Sequence, residues 1–140
     1  MDQPPPETVS ARGHQHVQAT HASTFEVTTD DYLTPAGDCI LGIEADRAPA
    51  DFDPEFVAAC QHADATITAR FEVAGDDETH SQTVTGRGHP DLAFENDRSA
   101  VGRTSDYVDD RTILVGTEFA AEGFDRELVA ALADGADLTV

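Results

Sequence analysis

Arg12-Gly13-His14 returns later in the chain as Arg87-Gly88-His89. At the same spacing Thr29, Asp31 and Tyr32 return as Thr104, Asp106 and Tyr107. With two residues fewer between them, Ile40-Leu41 becomes Ile113-Leu114. Phe52-Asp53, Glu55 and Val57-Ala58-Ala59 then become Phe124-Asp125, Glu127 and Val129-Ala130-Ala131. The order holds throughout and the shifts are small, which chance does not easily produce. A period this long is not that of a solenoid. It indicates an internal duplication, with residues 9–74 and 82–140 as two copies, each too small to be comfortable alone.

Each copy is expected to carry one short helix. Asp53 reads as an N-cap, with Pro54 at the first helical position, Glu55 in the first turn and Phe52 and Val57 placed as a hydrophobic staple. Asp125 repeats the cap, and Phe124, Leu128, Val129 and Leu132 form the apolar set of a helix that ends near Asp134-Gly135. Strands account for most of the rest. Ile67, Ala69, Phe71 and Val73 alternate with polar residues, as do Phe25 and Val27. Cys39, Leu41, Ile43 and Ala45 fall on one face of another strand, and residues 112–115 form its counterpart. Gly75-Asp76-Asp77 reads as a hairpin turn. The expected fold is mainly β, a sandwich or distorted barrel from two tandem pseudo-symmetric repeats. Residues 1–8, rich in Pro, are expected to form an extended, disordered tail ahead of a single domain over 9–140.

The chain has 140 residues and a formal charge of −20, with 28 acidic residues against 8 basic ones. All the basic residues are Arg. At ordinary ionic strength such a charge weakens the compact state by self-repulsion. Concentrated salt shortens the Debye length to about 3 Å near 1 M and removes most of that cost. The acids are scattered rather than run together, so the charge reads as adaptation to a molar-salt cytoplasm rather than as a partner surface. Nucleic acid is an unfavoured partner, since no basic stripe with interleaved aromatics is present. Cys39 and Cys60 form no C-x-x-C pair. No signal peptide or apolar run of membrane-spanning length is found, which points to a cytoplasmic location with no membrane partner.

Arg12-Gly13-His14, Ala19-Thr20-His21, residues 31–35 (Asp-Tyr-Leu-Thr-Pro) and residues 37–42 (Gly-Asp-Cys-Ile-Leu-Gly) together resemble an archaeal domain-of-unknown-function family, number 371. The second half matches through Arg87-Gly88-His89-Pro90, Asp106-Tyr107 and Asp110-Arg111-Thr112. The resemblance covers nearly all of residues 9–140. It implies an archaeal source and a two-repeat, mainly β structure, and no established activity. Two positions depart from the family pattern. His16 stands where Asn is usual, and Asn96 stands where a second-half His often lies opposite His21. A site that used a His from each half there has lost one of them in this chain.

The residues with chemical potential each carry a bland reading beside a functional one. In the Arg-Gly-His turns, Arg12, His14, Arg87 and His89 could contact an anion or move a proton, and Gly would allow a ligand's close approach. A turn or bulge that a symmetric fold needs twice explains them as well, and leads. Asp31-Tyr32 and Asp106-Tyr107 read as corners with buried rings. The loop Thr34-Pro35-Ala36-Gly37-Asp38-Cys39 is longer than its counterpart around Arg111, so it is the more interesting of the two. Asp38 and Cys39 could join His14 or His21 in a metal site or a nucleophile–base pair, while Cys39 also fits a core position. If residues 14–21 form one strand, His21 faces away from His14 and His16, which argues against a three-His metal site. His62 and His80 carry no reading.

The preferred function is a non-catalytic binding module for a small anionic ligand, a nucleotide or a protein, using Arg12, His14, His21, Asp38, Cys39, Arg87, His89, Asp106 and Arg111. The alternatives are a metal-dependent enzyme with a His/Asp/Cys site and a structural or assembly protein. No complete catalytic, metal or phosphate motif is present, and the cofactor is unknown.

Overall fold

The structure, a computed structural model, describes residues 3–140. It is mainly β, with eight strands and two helices among the described residues. The first half contributes β1 (Ser10–Arg12), β2 (Thr24–Thr28), β3 (Ile40–Gly42), a 3-10 turn (Pro49–Asp51), α1 (Pro54–Cys60) and β4 (Thr66–Ala74). The second contributes β5 (Thr79–Arg87), β6 (Ser99–Arg103), β7 (Thr112–Leu114), a 3-10 turn (Ala121–Gly123), α2 (Arg126–Ala133) and β8 (Asp137–Thr139).

The strands form two four-stranded sheets, in the orders β1-β8-β4-β5 and β3-β2-β6-β7. In the second sheet β2 lies antiparallel to β6, and each carries a parallel partner, β3 and β7 respectively. Both parallel pairs slip register at the same relative place, between Glu26 and Val27 and between Val101 and Gly102. In the first sheet β1 pairs with β8 and β5 with β4, so the first strand of each half lies beside the last strand of the other. Single antiparallel bridges, Arg12 to Ile43 and Arg87 to Val115, tie the edge of one sheet to the chain just beyond β3 and β7 in the other. The sheets do not close into a barrel: β1, β5, β3 and β7 remain edge strands.

The inner faces meet in one core. Alternation on β2 and β4 turns Phe25, Val27, Phe71 and Val73 inward, where they join Leu41, Ile43, Val84, Leu114 and Leu138. Phe25, Phe71 and Phe124 pack edge to face, with ring centroids 4.9–5.8 Å apart, an arrangement that aligns the ring quadrupoles.

Both helices start as their sequences dictate. The Asp53 carboxylate accepts a hydrogen bond from the Glu55 backbone N–H at 2.8 Å, and that of Asp125 from Glu127 at 2.9 Å. Their packing differs. α2 lies against β3, β4 and β5 and buries Leu128, Val129 and Leu132. α1 buries only Cys60 and leaves Phe56 and Val57 half-exposed in a smaller cluster with Leu92 and Phe94. One residue accounts for much of this difference. The Arg126 guanidinium donates to the carbonyls of Gln18 and Ala19 on one side and of Ala121, Glu122 and Phe124 on the other. That clamps α2 to the loop before β2. Pro54, at the matching place in α1, has no side-chain donor to offer.

Residues 14–21, for which a single strand is only a conditional reading, form a turn and loop in which His14 Nδ1 accepts the His16 backbone N–H at 3.0 Å. Two expectations change. The strand expected from Cys39 to Ala45 is regular only over Ile40–Gly42. Tyr32 and Tyr107 are 55% and 60% exposed rather than buried at corners. Arg98 donates to the Tyr32 hydroxyl at 3.3 Å, and the Arg103 guanidinium lies 4.9 Å above the Tyr107 ring, so each ring is held by a cation at the surface. In the region expected to be a tail, residues 1 and 2 lie outside the described residues, while Glu7 is tied down. Its carboxylate accepts from the Arg47 guanidinium at 3.2 Å and from the Asp53 backbone N–H at 2.7 Å.

Candidate functional site

The two Arg-Gly-His turns lie at opposite corners of one sheet. Arg12 faces Asp137, Asp137 faces Ala74, Ala74 faces Thr79, and Arg87 is at the far end of the strand that Thr79 begins. Three inter-strand spacings across and the length of β5 along separate the two turns within the sheet, and neither turn lines any of the concavities described below. The fold therefore does not gather Arg12, His14, Arg87 and His89 into one pocket. Each glycine is set by packing. A Cβ on Gly13 would overlap the Leu132 carbonyl at the end of α2, and one on Gly88 would overlap the Cys60 and His62 carbonyls at the end of α1. The Gly13 N–H donates to Ala136 at 2.8 Å, and that of Gly88 to Ala65 at 3.0 Å. Each turn thus seals the C-terminal end of the other half's helix.

The histidines of these turns cap backbone. His89 Nδ1 accepts the Asp91 N–H at 3.0 Å, as His14 does for His16. Arg12 pairs with Glu44 at the surface. His21 Nδ1 accepts the N–H groups of Ser23 and Thr24 at 3.3 and 3.1 Å. Asn96 Oδ1 accepts those of Arg98 and Ser99 at 2.9 and 2.7 Å. His21 and Asn96, at equivalent places, therefore do the same job, the acceptor that closes the turn before β2 or β6.

In the asymmetric loop, the Asp38 carbonyl accepts the N–H groups of Thr20 and His21 at 3.0 and 3.3 Å. The Cys39 thiol lies 3.6 Å from Glu26 Oε1. Burial first, and the Glu26 charge second, push that thiol up to about 11, and burial pushes Cys60 to about 11. Both stay protonated near neutrality, which does not suit an activated nucleophile. Asp106 is exposed in the loop after β6.

Two concavities lie elsewhere. The first is a polar cleft of about 390 Å³ on the outer face of the β3-β2-β6-β7 sheet, beneath residues 30–37. Glu26, Asp30, Tyr32, Asn96, Arg98 and Arg111 line it; Arg111 alone comes from the set chosen on sequence. Its cations are already matched. Arg98 grips Asp30 through two nitrogens at 2.7–3.0 Å. Arg111 and Arg103 both reach Asp109 Oδ2 at 2.9 Å. Partial burial opposes the Asp109 charge, but hydrogen bonds from Arg111 and Thr112 and the Arg103 charge outweigh it and hold the carboxyl well below the usual carboxylate range.

The second is an apolar cavity of about 290 Å³ between the two sheets, on the side where α1 packs loosely. Phe25, Phe71, Ile67 and Leu114 form its floor, Phe52, Phe56 and Phe94 its α1 side, and Pro6–Val9 one wall. Arg47, Arg70, Glu7 and Glu72 stand at its margin. An alternating strand gives no sign of such a space, because the same inward residues serve a filled core or a hollow one. The one signal in the sequence was the weaker apolar set of α1, where Cys60 stands at the place of Leu132.

No helix among the described residues is long and apolar enough to cross a membrane. The chain is similar to an uncharacterised protein of the archaeon Methanocaldococcus jannaschii, at 38% identity over 130 residues covering 93% of each chain. Residues 9–140 match the model of a domain of unknown function, DUF371. Length, order of motifs and full-length similarity agree, and the chain belongs to the DUF371 family.

Proposed function

We propose that this protein is a non-catalytic binding module whose ligand is a small molecule with an apolar body seated in the interlayer cavity. The observation that carries the reading is the cavity itself, walled by aromatic and aliphatic side chains with charged groups only at its margin. Sites of that composition are the usual form of small-molecule pockets. An apolar cavity of roughly 150 Å³ can take up benzene, so this one has room for a larger ring system or a branched chain. The cavity opens to solvent past Arg47, Arg70, Glu7 and Glu72, so a ligand has a route in and its apolar body would replace water against the aromatic walls. In this reading the scaffold arose by tandem duplication into a two-sheet sandwich. One copy kept its helix as core and the other released its helix to make the pocket. Salt adaptation and a cytoplasmic setting in an archaeon belong to the same proposal.

A second reading, a small polar or anionic ligand, draws on the cleft that holds Arg98, Arg111, Asn96 and Tyr32. It ranks lower because such a ligand must displace Asp30 or Asp109 from partners they already hold. The metal-dependent enzyme built on His14, His21, Asp38 and Cys39 draws little support, with His14 and His21 used as turn caps and the thiol protonated. An assembly role draws little support, since the outer edges of β1 and β5 already bond the chain beyond β3 and β7.

The test is a thermal-shift and fluorescence screen in about 2 M KCl, with short-chain fatty acids, aromatic acids and an anilinonaphthalene dye. Saturating ligand at a hundred times its dissociation constant stabilises by about 2.7 kcal/mol. Ala69→Leu and Ala100→Leu should fill the cavity, keep the fold and abolish the response. Equal responses in the filled variants would reject the cavity as the site.

A further inference from the structure

His80 faces inward on β5. It pairs across the ladder with Val73, which is fully buried, and its side chain is only 19% exposed. That side chain makes no hydrogen bond among the described residues. Two carboxylates converge on it from separate elements, Glu78 from the β4–β5 hairpin and Glu127 from the first turn of α2. One ligand atom from each of the three residues lies within 4.8 Å of the other two. His80 Nε2 stands 3.9 Å from Glu78 Oε1, too far for a hydrogen bond. It is close to the ~3.4 Å edge of a tetrahedron with metal–ligand bonds of about 2.1 Å. Glu78 is 71% exposed and free to turn the remaining distance.

The surroundings fit a cation. The three residues line a cleft of about 410 Å³ whose walls also carry Asp76, Asp77 and Asp134, with no basic residue on it. The cleft is thus more than an acidic patch. It contains one largely buried imidazole whose nitrogen lies within reach of carboxylates from two separate elements.

We propose that His80 Nε2, Glu78 and Glu127 form a binding site for a divalent transition-metal ion of the zinc, cobalt or manganese class, with water in the remaining positions. The imidazole sets the class. Magnesium and calcium prefer all-oxygen sites, whereas a nitrogen donor favours the transition ions. Glu78 and His80 lie in the junction between residues 74 and 82, outside both copies of the repeat, so the site is independent of the cavity. Occupied, it pins the hairpin to the start of α2, beside the existing bonds of Gln82 to Asp125 and Gly123.

Titration of the full chain with Co2+ and Zn2+, followed by the Co2+ visible spectrum and by histidine ring resonances, tests this directly. Saturation at one equivalent is expected, with one of the six imidazoles shifting. His80→Ala should lower affinity at least about tenfold, and Glu127→Gln should lower it with the fold unchanged. Asp76→Asn should leave it within about twofold. Non-saturating binding, equal affinity in His80→Ala, or a shift of a different imidazole would overturn the assignment. If His80→Ala fails to fold, Glu127→Gln and the ring resonances of the unaltered chain still decide.

Discussion

The two helices begin alike and end differently. α1 and α2 share an aspartate cap, a phenylalanine before it and the sequence Val-Ala-Ala. Each receives an Arg-Gly-His turn from the other half at its C-terminal end. The backbone bond that anchors the preceding 3-10 turn is also matched, Ala50 to Asn96 in one half and Glu122 to His21 in the other, both at 3.0 Å. Yet α2 fills the core, and α1 stands beside a cavity. The difference lies in three substitutions: Leu132 against Cys60, Leu128 against Phe56, and Arg126 against Pro54. Local signals thus decide where a helix starts, while the size and reach of a few side chains decide whether it closes a core or opens a pocket.

That contrast is broken most forcefully at the last turn of each helix. Leu132 is fully buried between α2 and the sheets, so Leu132→Ala should cost about 3 kcal/mol or more. Cys60→Ala, at the matching place in the smaller cluster with Leu92 and Phe94, should cost about 1 kcal/mol, because the side chain is small and the loosely packed helix can settle. Chemical denaturation in molar KCl measures both, and equal losses would show that the helices are held alike.

Next comes the clamp. Removing Arg126 orphans carbonyls in two segments, and Arg126→Ala should cost about 2 kcal/mol. Hydrogen exchange should rise at Gln18–Thr20 and at the start of α2 and stay constant in α1. A loss spread evenly over both helices would remove the clamp as the cause of their difference.

A third contrast is electrostatic. The Asp109 carboxyl titrates well below the usual range in the folded protein and near 3.9 when unfolded. A depressed folded value means that its contribution is complete above about pH 5 and is lost as pH falls through 4 and below. Protonation of the other acids works the opposite way by relieving repulsion, so the measurement is the difference between the unaltered chain and Asp109→Asn. The variant should be less stable at pH 7, and the gap should begin to narrow below about pH 4 and close only well below pH 3. A constant gap would mean that Asp109 acts by shape rather than charge.

The smallest effect is the most pointed. Since Asn96 Oδ1 and His21 Nδ1 cap equivalent turns, Asn96→His should change stability by no more than about 0.5 kcal/mol. A loss of several times that would show that the Nδ2 bond from Asn96 to Asp110, 3.0 Å long, matters more than the shared cap.

Much of the secondary structure was legible in the chain because its causes are local. Asp53-Pro54 and Asp125 start helices through backbone N–H groups two residues away, and alternation at residues 67–73 selects one face of β4. The turn at residues 14–16 has an equally local cause, an imidazole accepting a nearby N–H, which a pattern of apolar residues does not register. The candidate sites were far less legible. Arg12, His14, Arg87 and His89 looked like chemistry because they recur, whereas the fold separates the two turns and uses each to close a helix end. His80 carried no signal because Glu127, which the fold brings within 4.8 Å of it, stands on a different element far along the chain.

What the sequence determined alone was the charge balance, the matching order of motifs, the helix starts and most of the strands, since each depends on residues within a turn or a strand of one another. Only the tertiary structure decided that β1 joins β8 and β5 joins β4, that the space beside α1 stays hollow, and that an inward histidine meets two carboxylates. Those outcomes depend on which distant side chains share a volume, and no local spacing encodes that.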